Sequence, residues 1–123
     1  MPRTLLRFLV LLMPSLALAG DAGAGHGFAC DMRAMTADER AQHGALALEL
    51  FAAVQEKREL ADGYAYRLPP ERWLDAARWA ALEKKCCPFF AFALRAAPDR
   101  GPLWLEVTGR PGAKAFMKAE FGL

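Results

Sequence analysis

Histidine and cysteine are scarce in this chain: it has two of the first and three of the second among 123 residues. That scarcity excludes several chemistries. There is no His-x-x-x-His pair for a helical zinc site. There is no Cys-x-x-Cys pair of the kind that thiol oxidoreductases place at a helix N-terminus. A glycine-rich phosphate loop and a Gly-x-Ser-x-Gly nucleophile elbow are also missing. No nucleophile can be paired with a general base, so an enzyme reading lacks its minimum parts. Charge of one sign is lacking too.

The whole chain carries 16 basic and 14 acidic residues. Two of the bases, Arg3 and Arg7, precede an apolar run over Leu9–Leu18 that ends in Ala17-Leu18-Ala19. A positive start, a short apolar stretch and a small-x-small end are the marks of a signal peptide, with cleavage before Gly20. The run is too short to cross a bilayer as an ordinary helix, which needs about 20 residues. The domain reading is therefore a leader over residues 1–19, a Gly/Ala linker over 20–27 and one domain over 28–123. Without the leader, basic and acidic residues are equal in number. An even balance gives no electrostatic footprint for nucleic acid or an anionic membrane. The expected compartment is the periplasm or the exterior if the leader acts, and the cytoplasm otherwise.

Periodicity supplies the fold class. Phe28, Cys30 and Met32 alternate with Ala29 and Asp31, a short strand pattern. Thr36 and Glu39 have capping-box spacing and open a helix that the pattern carries to about Arg58, with Leu46, Ala47, Leu50, Ala53 and Val54 as its apolar stripe. Asp62-Gly63 makes a turn, and Tyr64, Tyr66 and Leu68 alternate as a strand. Pro70 suits the first turn of a second helix, rich in apolar residues from Trp73 to Leu82, so burial on most of its sides is expected. Pro88 disfavours helical backbone at Cys87 and ends it. Phe90, Phe92 and Leu94, then Leu103, Leu105 and Val107, read as a hairpin around Asp99-Arg100-Gly101. Pro111 opens a last helix. The order β-α-β-α-β-β-α predicts an α+β domain with a small, mainly antiparallel sheet and helices on one face.

Chemistry concentrates in Glu83-Lys84-Lys85-Cys86-Cys87-Pro88. Glu83 lies three and four residues before the two cysteines, the spacings that share a helix face, and Trp79 lies one turn further back. A helix C-terminus is partially negative, and a carboxylate adds to that. Both oppose thiolate formation unless Lys84 and Lys85 compensate. A bound cation reverses the balance, because it stabilises thiolate and carboxylate together. Glu83, Cys86 and Cys87 are thus a partial shell for a soft or borderline ion, with Cys30 completing it if the first segment runs beside the helix end. Zinc, copper, mercury and arsenite are the candidate ligands.

Disulfides compete with that reading. A Cys86–Cys87 bridge would hold Cα atoms about 3.8 Å apart, below the usual range. A Cys30–Cys86 or Cys30–Cys87 bridge is geometrically ordinary and leaves one odd thiol. Buried, inert cysteines beside Phe89 and Phe90 are a further alternative. Cys87-Pro88 is too short to stand as a haem motif. His43 shares a helix face with Leu46, Ala47 and Leu50, where a hydrogen-bonded core histidine is the ordinary outcome. His26 falls in the linker.

From Cys30 onward the chain resembles a group of small, uncharacterised bacterial proteins. The residues that carry the resemblance are Cys30-Asp31, Thr36 to Arg40, Asp62-Gly63-Tyr64, the Glu-x-x-Cys-Cys-Pro-Phe segment from Glu83 to Phe89, Phe92 to Leu94, and Val107-Thr108-Gly109. The resemblance implies an association with heavy-metal-responsive regulators, and so metal handling by Cys30, Glu83, Cys86 and Cys87. The chain departs from the group in its leader. Three readings follow, in this order: a soft-metal or metalloid scavenger, carrier or sensor module; a redox-responsive thiol protein; and a structural or interaction domain with inert cysteines.

Overall fold

The computed structural model describes residues 27–121. The proposed leader and nearly all of the linker lie outside them. Among the described residues the order is α1 (Ala37–Ala52), β1 (Glu56–Leu60), β2 (Gly63–Leu68), α2 (Trp73–Cys86), β3 (Phe90–Ala96), β4 (Leu103–Gly109) and α3 (Ala113–Phe121). Short 3-10 turns precede α1 at Met32–Ala34 and α2 at Pro70–Arg72. The four strands form one antiparallel sheet in the order β1-β2-β4-β3. The protein is therefore α+β, as the periodicity predicts, with the first strand in a different place.

That first strand is a correction. Phe28–Met32 makes no ladder; its Asp31 side chain instead caps the Met32–Ala34 turn. The fourth strand comes from Glu56–Leu60, which overlaps the end of the stretch assigned to the first helix. Glu, Lys, Arg and Leu are good helix formers, so local propensity points the wrong way there. Pairing with β2 overrides it, through the register Glu56↔Arg67 to Leu60↔Gly63. The charge that hid this strand also suits its position at the sheet edge, where it discourages pairing with another chain.

Helix α1 starts as expected. Thr36 accepts from the Glu39 amide at 3.1 Å, and the Glu39 carboxylate accepts from the Thr36 amide at 3.2 Å. It stops at Ala52, before the sheet begins.

Alternation sends Tyr64, Tyr66 and Leu68 of β2 and Leu103, Leu105 and Val107 of β4 to one face, all of them buried. All three helices lie on that face. Phe51 of α1 meets the Tyr66 ring, Trp79 of α2 meets Phe92, and Phe116 of α3 meets Phe90. The opposite face carries polar contacts: Arg58 sits over the Trp104 ring, and Arg95 pairs with Glu106. Gly63 is required by close approach rather than by a turn, since a Cβ there would lie 1.9 Å from the Val107 carbonyl oxygen.

Helix α2 is less buried than its composition predicts. Ala76, Trp79, Ala80, Leu82, Glu83 and Cys86 are buried, but Trp73 and Leu74 face outward. The buried set follows the helical repeat, so one broad face of α2 goes inward and delivers Trp79, Glu83 and Cys86 to the same place.

Candidate metal and thiol site

The site is built where α2 ends. Cys86 is its last residue, and Cys87 leaves the helix with φ −124° and ψ 70°. That backbone is non-helical, in keeping with the bar that Pro88 sets against the α region at its predecessor. The Cys87 amide still reaches back to the Glu83 carbonyl at 2.7 Å, so the chain turns sharply without losing the last helical bond. The result sets the two sulfurs 3.8 Å apart. The Cys86 thiol donates to the Glu83 carbonyl at 3.3 Å and lies 3.9 Å from a Glu83 carboxylate oxygen.

Cys30 arrives on the N-terminal strap. The Asp31 amide donates to the Cys86 carbonyl at 2.8 Å, which lays the strap across the end of α2. Cys30 and Cys87 are joined as a disulfide with Cα atoms 4.8 Å apart. Of the two ordinary bridges open from the sequence, the fold selects the one to Cys87, and Cys86 remains the free, buried thiol. Ligand atoms of Cys30, Glu83, Cys86 and Cys87 all lie within 4.8 Å of one another. All four residues named from the sequence are therefore brought together, although two of the sulfurs are bonded to each other.

Glu83 is the buried charged residue of the core, 4 % exposed. A carboxylate in that position needs a partner. His43 of α1 supplies it: its Nε2 pairs directly with the Glu83 carboxylate, and its ring stacks on Trp79 with centroids 6.3 Å apart. His43 is thus a hydrogen-bonded interior histidine, as its helix face suggests, but its partner makes it part of the site. The signal that could have found it was the unpaired acid on α2, not anything in α1. Lys84 and Lys85 do not compensate the thiols. Lys84 is exposed, and Lys85 pairs with Glu39 on the surface.

The electrostatics follow from that arrangement. Burial pushes the Cys86 thiol up to about 11, and the neighbouring Glu83 and Glu120 charges push the same way. Near neutral pH Cys86 is a protonated thiol, a poor nucleophile but a donor that a metal cation can deprotonate.

Beside the thiol lies a cavity of about 440 Å³. Its walls are mostly apolar and aromatic, including Ala47, Phe51, Trp79 and Phe121. Cys30, His43, Glu83, Cys86 and Glu120 supply its polar groups. Glu120 comes from α3, and no sequence pattern linked it to the cysteines. The Trp79 indole nitrogen is buried and has no hydrogen-bond partner among the described residues.

Compared with family models, with curated proteins and with solved structures, the chain finds no match. What the molecule displays is a small α+β fold with a sulfur and carboxylate cluster close enough to hold a metal. No described helix is long and apolar enough to cross a membrane.

Proposed function

We propose that the protein is a small soft-metal or metalloid binding protein, a scavenger, carrier or sensor module whose full ligand set opens when Cys30–Cys87 is reduced. The observation that carries this reading is the convergence of Cys30, Glu83, Cys86 and Cys87 within 4.8 Å. Zinc–sulfur bonds of about 2.3 Å in a tetrahedron set sulfurs roughly 3.8 Å apart, close to the 3.8 Å between Cys86 and Cys87. Three thiolates favour soft ions, and the Glu83 carboxylate adds an oxygen whose orientation His43 holds. Binding must displace the Cys86 proton, so affinity rises with pH.

The experiment is an anaerobic titration of dithiol-reduced protein with Zn²⁺, Cu⁺, Hg²⁺ and arsenite, followed by mass spectrometry and thiolate absorption. One tightly bound ion per chain is the expected result. No stoichiometric binding by any of the four removes the reading.

The disulfide favours a second reading, a redox-responsive thiol protein. Cys86 lies 3.8 Å from one sulfur of the bridge and is placed to exchange with it. The upward-shifted Cys86 thiol opposes that exchange, since the thiolate is the attacking species. A leader ending at Ala19 would carry the chain to an oxidising compartment, where such a bridge persists. Free thiols counted across a glutathione redox series decide between a bridge inside the biological range and one outside it.

A further inference from the structure

With the bridge closed, the protein still presents one thiol, and that thiol borders a cavity much larger than a bare ion needs. Cys86 and Glu83 line one side of it, and Phe51, Trp79 and Phe121 give it aromatic walls. The volume is about 440 Å³. An engineered apolar cavity of about 150 Å³ is enough to take up benzene. A bare soft cation needs two or more thiolates, which only the reduced protein supplies. A metal that already carries one hydrocarbon group needs a single thiolate and a place to bury the hydrocarbon. The oxidised site offers that combination.

From this match between one thiol and an aromatic cavity we infer that the disulfide-closed form is a site for mono-organometal cations, with arylmercury the best-fitting class. The inference rests on the soft-metal reading and narrows it to a ligand class and a redox form. Binding is a ligand exchange: Cys86–SH and R–Hg–X give Cys86–S–Hg–R, H⁺ and X⁻. The S–H and Hg–X bonds break, and one S–Hg bond forms. The proton and the anion leave for water, and no electron changes hands. The hydrocarbon lies against Trp79, Phe51 and Phe121, while the metal stays at the Cys86 end beside Glu83.

Any thiol takes up organomercury, so the test must separate the cavity from the sulfur. The full chain is air-oxidised and its single bridge confirmed by intact mass. It is then mixed with one equivalent of phenylmercury acetate or methylmercury chloride in the presence of excess iodide, which competes for the mercury without reducing the bridge. Native mass spectrometry reads the fraction on protein. Phenylmercury is expected to stay on the protein, at least tenfold favoured over methylmercury. Cys86→Ala is expected to carry neither probe. Ala47→Phe, which fills the cavity, and Leu48→Ala, which trims an exposed residue at its rim, are expected to reduce the phenyl preference. Equal partition of the two probes, uptake by Cys86→Ala, or a phenyl preference that survives both wall variants overturns the inference. Failure here leaves the reduced-protein titration with inorganic ions untouched, so the two readings fall separately.

Discussion

His43 on α1 and Glu83 on α2 hold each other across 40 residues of sequence, and their pairing joins the two helices beside the cysteine and carboxylate cluster. Each side chain is largely shielded, 14 % and 5 % exposed. His43 keeps the carboxylate aimed beside Cys86, and Trp79 stacks on the imidazole from within α2. The pair is therefore both a structural contact and the means by which the carboxylate of the cluster is oriented.

Breaking that pair from the histidine side leaves a buried carboxylate without its partner. His43→Ala is expected to destabilise the protein by about 3 kcal/mol, whereas Glu83→Gln, which keeps a hydrogen bond, costs less. Urea unfolding of both variants tests the order. Equal losses would show that burial of the acid, not its pairing, sets the energy.

The bridge closes a loop of sequence separation 57. Chain-entropy arguments put the stabilisation from such a loop at about 4 kcal/mol. Cys30→Ala should lower the unfolding midpoint in a non-reducing buffer, and the same variant in strong reductant should differ little from the reduced parent. A midpoint that does not move when the bridge is removed would place its role outside stability.

Cys86 titrates late, near 11, against an ordinary thiol value near 9. Its alkylation by iodoacetamide in the oxidised protein should be slow at pH 8 and climb up to about pH 11. The sign for stability runs opposite. A folded value raised above the unfolded one means the native state keeps its proton longer. That contribution is fully present below about pH 9 and is lost as pH rises to about 11. Tyr66, pushed by burial to about 12, extends the loss further into alkali. A chain whose stability holds flat from pH 8.5 to 11.5 contradicts the assignment.

Metal that binds the folded chain alone must raise its stability by mass action. Reduced protein with excess Zn²⁺ is expected to melt several degrees higher than without it, and a chelator should reverse the shift. Cys86→Ser should erase most of that gain. The closed, oxidised protein should show far less, because two of the sulfurs are bonded to each other. A zinc shift of equal size in both redox forms would point to a different ligand set.

Gly63→Ala tests the sheet against which the helices pack. A methyl group there would lie 1.9 Å from the Val107 carbonyl oxygen, against rigid backbone. A loss of about 3 kcal/mol or more is expected, from strain of the kind that overpacking causes. Chemical denaturation measures it, and a loss below 1 kcal/mol would mean that β2 and β4 can part locally.

Much of this protein is written in local pattern. The Thr36–Glu39 cap, the Tyr64-Tyr66-Leu68 alternation, the proline that ends α2 and the β3–β4 hairpin all follow from chemistry within a few residues. So does the pairing of Glu83 with Cys86 on one helix face, because the helical repeat alone decides it. Sequence therefore determined the fold class and three of the four metal-ligand candidates as a unit. The strand at Glu56–Leu60 was hidden, since its residues prefer helix and only the hydrogen bonds of β2 reverse that preference. The choice of Cys87 over Cys86 as partner for Cys30, the recruitment of His43 to Glu83 and the aromatic cavity beside the free thiol were also decided only in three dimensions. Each depends on how separate segments approach one another in space, and no repeat along the chain encodes that distance.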